Sequence, residues 1–370
     1  MTANDFDASI RRFAQDADLV LPPPELSSER RRRDDEILAW VLDQPRTESA
    51  GSERSDASTP TGAPARRRWT ASLVAAAAFA LIASVAIPLG WWSGPAAATG
   101  TPRMLGYSTS PTAMFDGGAP SASSVLLELA AQVDASPPLP RDAEIQFIHT
   151  ANWLRHTTLN DDGTRETYIY PTARQSWLSP DGSLIYREHR GSALDARGRL
   201  TQTPEQGAPS EAEDVLPPGT IDVSTPADLP RDPESLRAEL LKRLSGLDCT
   251  ADPATHAWCL FTEISDLHTF AVVPRDLNAA LWQMLATTSG VSTLGSVTDR
   301  VGREAEAIAF PPVPDDGYAR VLVLLIDRGT GELVGTEQVD LDDPEHEITE
   351  PTVTGFTTYL QRAWVDHVPG

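Results

Sequence analysis

TASLVAAAAFALIASVAIPLGWW, residues Thr70–Trp92, carries no charged side chain over 23 positions. As a helix rising 1.5 Å per residue it reaches about 34 Å, enough to cross a hydrocarbon core of about 30 Å. Arg66, Arg67 and Arg68 precede it directly. Trp69, Trp91 and Trp92 stand at its two ends, where indole rings favour the lipid–water boundary. Its only polar members are Thr70, Ser72 and Ser84, too few for the polar face of a buried soluble helix. A cleaved signal peptide is the other alternative, with Ala96-Ala97-Ala98 as its cleavage site. That alternative fits less well, because the apolar run exceeds roughly 7–15 residues and a long segment comes before it. Pro88 lies near the far end, where it bends the last turn rather than breaking the span. The stretch therefore reads as a single-pass anchor in a lipid bilayer.

Charge orients the anchor. Within about twenty residues Arg54, Arg66, Arg67 and Arg68 lie on its N-terminal side, against Arg103 alone on the other. The positive-inside rule puts the N-terminus in the cytoplasm and the larger C-terminal part outside the cell membrane. The net charge is −23, and Lys242 is the sole lysine. Residues 1–69 hold 11 basic and 13 acidic side chains, which leaves −21 for the rest. An exterior this acidic has no basic surface to neutralise phosphates, so direct nucleic-acid binding is not expected.

The chain divides as 1–44 cytoplasmic helical segment, 45–69 flexible linker, 70–92 transmembrane helix, 93–120 outer linker and 121–370 outer domain. In the first segment Phe6, Ile10 and Phe13 recur at helical spacing, as do Ile37, Leu38 and Val41 after Leu21-Pro22-Pro23-Pro24. Two such helices bury too little to fold alone. These six residues are the candidate contacts to a cytoplasmic partner, with a mobile stub as the alternative. Ser, Thr, Gly and Pro dominate Pro45–Ala65 and mark the linker.

The outer part alternates helical and strand signals. Ser121–Asp134 predicts a Ser-capped helix with Val125, Leu126, Leu129 and Val133 on one stripe. Glu144–Thr158 and Glu166–Tyr170 predict strands around Asn160-Asp161-Asp162-Gly163, and Gln175–Leu178 and Leu184–Glu188 flank the turn Ser179–Gly182, a meander of about four strands. A polar loop covers Gly191–Thr225. Asp232 caps a helix through Leu244 with Pro233 in its first turn. Weak helix at Ser265–Val272 and strong helix at Leu277–Thr287 precede strands at Gly295–Thr298, Glu304–Phe310, Arg320–Asp327, Glu332–Val339 and Thr352–Asp366. In the last, alternation sets Val353, Gly355, Thr357 and Tyr359 on one side against Phe356, Thr358 and Leu360 on the other. The fold class expected is α+β, with an antiparallel sheet and several helices.

Cys249 and Cys259 both fall outside the membrane, ten positions apart around Asp252-Pro253, which reads as a turn. A disulfide is the preferred reading there. Two buried thiols remain an alternative; a metal pair with His256 lacks a fourth ligand. The chain has no Gly-rich phosphate loop, no G-x-S-x-G and no H-E-x-x-H. His149 and His156 are seven apart, on opposite faces of a strand. Asp161–Gly163 and Asp340–Asp343 lack the alternating ligands of an EF-hand and read as solvated turns. No enzyme activity, cofactor or metal is expected.

Four phrases carry a family resemblance: Gln175–Gly182 (QSWLSPDG), Asp228–Leu241 (DLPRDPESLRAELL), Thr298–Arg303 (TDRVGR) and Leu325–Gly335 (LIDRGTGELVG). With the stub, span and outer domain, the chain resembles a family of actinobacterial membrane proteins commonly encoded beside extracytoplasmic-function sigma factors. The resemblance implies an anti-sigma-like regulator with a cytoplasmic sigma factor as partner. It supplies no catalytic or binding residues. One departure matters: zinc-type anti-sigma domains carry a histidine and a CxxC, whereas residues 1–69 contain neither His nor Cys. The competing reading is a membrane-anchored envelope module for lipid, glycan or protein with no cytoplasmic partner. The Ala- and Val-rich span permits close helix packing without fixing an oligomeric state.

Overall fold

A computed structural model describes residues 46–47, 101–159, 165–195, 210–244, 248–315, 318–343 and 348–369. The span Thr70–Trp92, the stub with Phe6, Ile10, Phe13, Ile37, Leu38 and Val41, and the interface residues Arg66, Arg67, Arg68, Trp69, Trp91 and Trp92 lie outside these. No helix among the described residues is long and apolar enough to cross a membrane.

The architecture is α+β, built on one antiparallel sheet of ten strands. In chain order these are β3 (Ile145–Leu159), β4 (Arg165–Leu178), β5 (Leu184–Arg190), β6 (Ser210–Leu216), β7 (Ser292–Thr298), β8 (Glu304–Ala309), β9 (Val313–Asp315), β10 (Tyr318–Asp327), β11 (Leu333–Asp342) and β12 (Thr352–Val365). Across the sheet the order is β6-β5-β4-β3-β12-β11-β10-β8-β7, with β9 beside β10. The C-terminal strand β12 thus joins an N-terminal meander to a C-terminal one. A separate two-residue pairing sets β1 (Arg46–Thr47) against β2 (Thr101–Pro102). It joins segments that the sequence reading places on opposite sides of a membrane, so it and a span over 70–92 exclude each other in one molecule.

Four longer helices cover one face of the sheet: α1 (Ser123–Ala135), α3 (Pro233–Arg243), α4 (Pro253–Phe270) and α5 (Arg275–Ala286); α2 (Thr225–Asp228) is a single turn. Alternation along β10 divides the apolar side chains between two layers. Leu322, Leu324 and Ile326 meet Leu126, Leu260, Leu281 and Trp282 from the helices. Val321, Val323 and Leu325 join Ala305, Ala307 and Ala309 on the opposite face. That second face is covered by residues 103–118, from which Leu105, Tyr107 and Met114 pack downward. The β10–β11 turn tucks beneath α1. Gly331 has φ +72° there, and a Cβ would fall 2.6 Å from the Leu129 carbonyl oxygen, so only glycine fits.

Several expectations shift in detail. Ala122, not a serine, caps α1, while Ser121 Oγ accepts from the Ser123 amide. Gln175–Leu178 is the end of β4 rather than a separate arm, because the strand runs through Pro171. Proline is tolerated at that point since the ladder to β5 stops at Thr172↔Arg190. Asp252-Pro253 is the start of α4, not a turn. Asp252 accepts from the Ala254 and Thr255 amides, and Pro233 and Pro253 both occupy first-turn positions that need no amide hydrogen. In β12 the ladders slip beside Val353 and after Tyr359. Val353 and Phe356 therefore share the second face while Tyr359 points to the helices.

Candidate functional site

The wing β3–β6 is built from different residues than the rest of the sheet. The turn Ser179–Ser183 sets Leu178 opposite Leu184, and every later pair follows: Ser176↔Tyr186, Arg174↔Glu188, Thr172↔Arg190. Ile148 belongs to the core beneath the helices and pairs with Ser176. Side chains alternating with Ser176 and Tyr186 therefore lie on the helix-bearing face.

Arg174 and Arg190 converge there on one carboxylate. Arg174 Nε donates to Glu188 Oε1 at 2.5 Å and Arg190 Nε to Oε2 at 2.7 Å. Arg174 also lies over the Tyr186 ring at 5.2 Å, and Arg190 over the Tyr170 ring at 6.0 Å. The Glu188 side chain is 1% exposed, whereas the two guanidinium side chains are 29% and 36% exposed. Burial alone would raise the Glu188 pKa; the two guanidiniums outweigh it and leave the carboxyl below its usual range. Burial and the bond to Asp214 push the Tyr186 hydroxyl up. Two guanidiniums share the Glu188 carboxylate while the Asp214 carboxylate accepts from Tyr186 beside them, so the charges of the cluster are matched, and its planar donors reach solvent flanked by aromatic rings.

The reverse face of the wing is also charged and aromatic. Phe147 packs on Trp177 at 5.3 Å, and Arg187 lies over Trp177 at 5.2 Å. Arg187 pairs with Glu213 on β6 and donates to the Pro369 carbonyl at 2.7 Å. His189 faces Glu211 at 3.7 Å. These cross-strand pairs explain why the acidic stretch Ser210–Leu216, expected to be loop, forms edge strand β6.

Cys249 and Cys259 are joined as a disulfide that ties the α3–α4 loop to the second turn of α4. His256 lies beside a surface depression lined by Arg237, Asp252 and Thr288. Burial and the Arg237 charge lower its pKa. Among the described residues no group of three His, Cys, Asp or Glu side chains is arranged to hold a metal. His149 pairs with Gln175 and His156 with Tyr168, seven positions apart in one strand. Asp340 and Asp343 are not a solvated turn. Both are fully buried: Asp340 pairs with Arg155 at 2.8 Å and Arg320 at 2.6 Å, and Asp343 with Arg155 at 3.3 Å. Asp161–Gly163 lie outside the described residues. Arg174, Glu188 and Arg190 escaped the sequence reading. Their signal was the i, i+2 alternation of Tyr186, Glu188 and Arg190 opposite Arg174 across a short turn.

No protein-family model matches the chain, nor does any curated protein. The actinobacterial family resemblance thus rests on the four short phrases alone. Among solved structures, a crystal structure of MucB in complex with MucA(peri) is 16% identical, covering 66% of this chain and 57% of that one at a TM-score of 0.22. A Pseudomonas aeruginosa MucA/MucB complex is 16% identical with 67% and 58% covered, also at 0.22. A LolA superfamily protein from Nitrosomonas europaea is 10% identical, with 66% and 94% covered at 0.14. The chain spans under two thirds of the length of the first two. At these scores the likeness establishes neither fold nor function for this chain.

Proposed function

We propose that the chain is a single-pass membrane regulator whose outer α+β domain binds a protein and performs no catalysis. One observation carries the reading: the Arg174–Glu188–Arg190 cluster with its Tyr170 and Tyr186 rings, set on a sheet whose apolar surface is already covered on both faces. Arginine and tyrosine are the side chains most enriched at protein-recognition surfaces. Two part-exposed guanidiniums on a chain of net charge −23 favour a partner segment carrying carboxylates, which such planar donors meet two bonds at a time. A lipid ligand is the weaker fit, since the apolar rows of the sheet lie under the helices and under residues 103–118.

In this reading Thr70–Trp92 is the anchor and residues 1–44 hold a cytoplasmic sigma factor through Phe6, Ile10, Phe13, Ile37, Leu38 and Val41. The Arg46–Thr47 pairing with Thr101–Pro102 is then absent from the anchored protein. An envelope module without a cytoplasmic partner would share the outer surface and differ in the stub. Two measurements test the scheme. Alkaline phosphatase, active only outside the cytoplasm, is expected to be active when fused after residue 120 and inactive after residue 60; activity at both positions contradicts the anchor. Residues 1–69 are expected to retain a sigma factor in a pull-down, and the Phe13→Asp, Ile37→Asp double variant to release it. No retention, with transcription unchanged by the double variant, ends the regulator reading and leaves the outer module.

A further inference from the structure

Residues 103–118 lie across the second face of the sheet in a way that separates them from the body they cover. Residues 104, 105, 107 and 109 are half-buried while 103, 106, 108 and 110 are exposed, the alternation of an extended segment. It ends in a single 3-10 turn, Pro111–Met114. Its polar attachments are few. Tyr107 Oη donates to Glu337 Oε2 at 2.6 Å, the Thr109 amide donates to the Leu294 carbonyl at 3.0 Å, and Arg300 Nη2 reaches the Arg103 carbonyl at 3.4 Å. Ser108 sits against Gly295, where an added Cβ would come within 2.8 Å of it. The next residues are pinned more firmly, through Thr293 to the Pro120 carbonyl and Ala122 to the Val291 carbonyl.

The surface beneath the segment is a row of small apolar side chains. Ala305, Ala307, Ala309, Val321 and Val323 are wholly buried and form a row of small side chains across β8 and β10. Glu337 already has a buried counterion, Arg300 at 2.5 Å, whose guanidinium lies 4.2 Å over the Phe356 ring. Lifting Tyr107 away therefore strands no unpaired charge, and it uncovers apolar surface that draws the segment back. Few bonds and half-exposed side chains place this segment at the low end of local stability.

We propose that residues 103–118 are a releasable strap, latched by Tyr107 on the Glu337–Arg300 pair, whose displacement bares an apolar groove across β7, β8 and β10. The occupant of that groove at rest is the strap itself. This inference stands on geometry away from the β3–β6 wing and does not depend on what the wing binds.

Native-state hydrogen exchange on the full chain in detergent micelles tests it. Amides of residues 105–115 are expected to exchange at least about 100-fold faster than those of β10 and α5, through an opening separate from global unfolding. Tyr107→Phe removes one hydrogen bond to a charged acceptor, and is expected to accelerate the strap a further tenfold to hundredfold or so, with α4 and α5 unchanged. Leu105→Ala, at a half-buried position, is expected to give the same selective acceleration and serves if Tyr107→Phe folds poorly. Strap amides that exchange together with β10 overturn the proposal. So does acceleration spread evenly over the domain, or none in either variant.

Discussion

The two ends of the sheet solve the same problem with opposite chemistry. The lobe of β7, β8, β10 and β11 fills both faces mainly with apolar side chains, under helices on one side and residues 103–118 on the other, with the buried Arg300–Glu337 pair and the Arg320–Asp340 pair set among them. The wing of β3–β6 adds to its buried Ile148, Trp153 and Ile169 cross-strand pairs of arginine, glutamate, tyrosine and tryptophan on both faces. Burial of apolar area is the larger stabilising contribution, whereas half-exposed ion pairs add little. The lobe therefore holds the fold, and the wing is free to carry groups chosen for recognition.

The largest effect that would break this contrast belongs to the lobe. Leu324 is fully buried in mid-β10 beneath the helices. Leu324→Ala is expected to cost about 3 kcal/mol in chemical denaturation; a cost under about 1 kcal/mol would mean the lobe is not the stabilising half. Opening the disulfide by the double variant Cys249→Ser, Cys259→Ser comes next, at about 2–3 kcal/mol on the loop-entropy model. Its denaturation midpoint should fall.

A pH effect follows in size. His268 is buried between α4 and the sheet, stacked against Trp282 and within 3.5 Å of Arg362; Tyr359 also faces it, Asn278 lies close by, and Asn278 in turn donates to Glu332. Burial first, then the Arg362 charge, holds its pKa well below the usual value. The imidazole stays neutral when folded and charges when unfolded. Stability from this group is thus present above about pH 6.5 and lost progressively as pH falls below it. Buried Glu332, raised by burial, acts in the opposite sense at lower pH. The difference in pH slope between the parent and His268→Gln isolates the histidine; equal slopes contradict the assignment. The smallest expected stability change is in the wing. Glu188→Gln should cost about 1 kcal/mol or less, because Arg174 and Arg190 can turn to water.

The lobe was also the more legible half. Its hairpin Leu325–Gly335 and helix Leu277–Thr287 follow from period and turn residues, as does the Cys249–Cys259 disulfide from location and spacing. The wing was not. Strand β6 is acidic and reads as loop, since its pairing depends on partners far away in sequence, such as Arg187 for Glu213. At the lobe's own edge, burial of Asp340 and Asp343 was hidden for the same reason: Arg155 is nearly two hundred residues away. Helix α4 was half seen, because Asp252-Pro253 signals a turn and a helix start equally well.

The most direct test of recognition by the wing uses a photo-crosslinking residue at Ser210, exposed on β6 opposite Arg190, in the full-length protein in cells. The control position is Leu127, exposed on the outer side of α1. A discrete protein adduct at position 210, lost on Arg190→Glu and absent at position 127, is the expected result. An adduct unaffected by Arg190→Glu, one equally strong at both positions, or none at 210 would contradict the assignment of the wing as the binding surface.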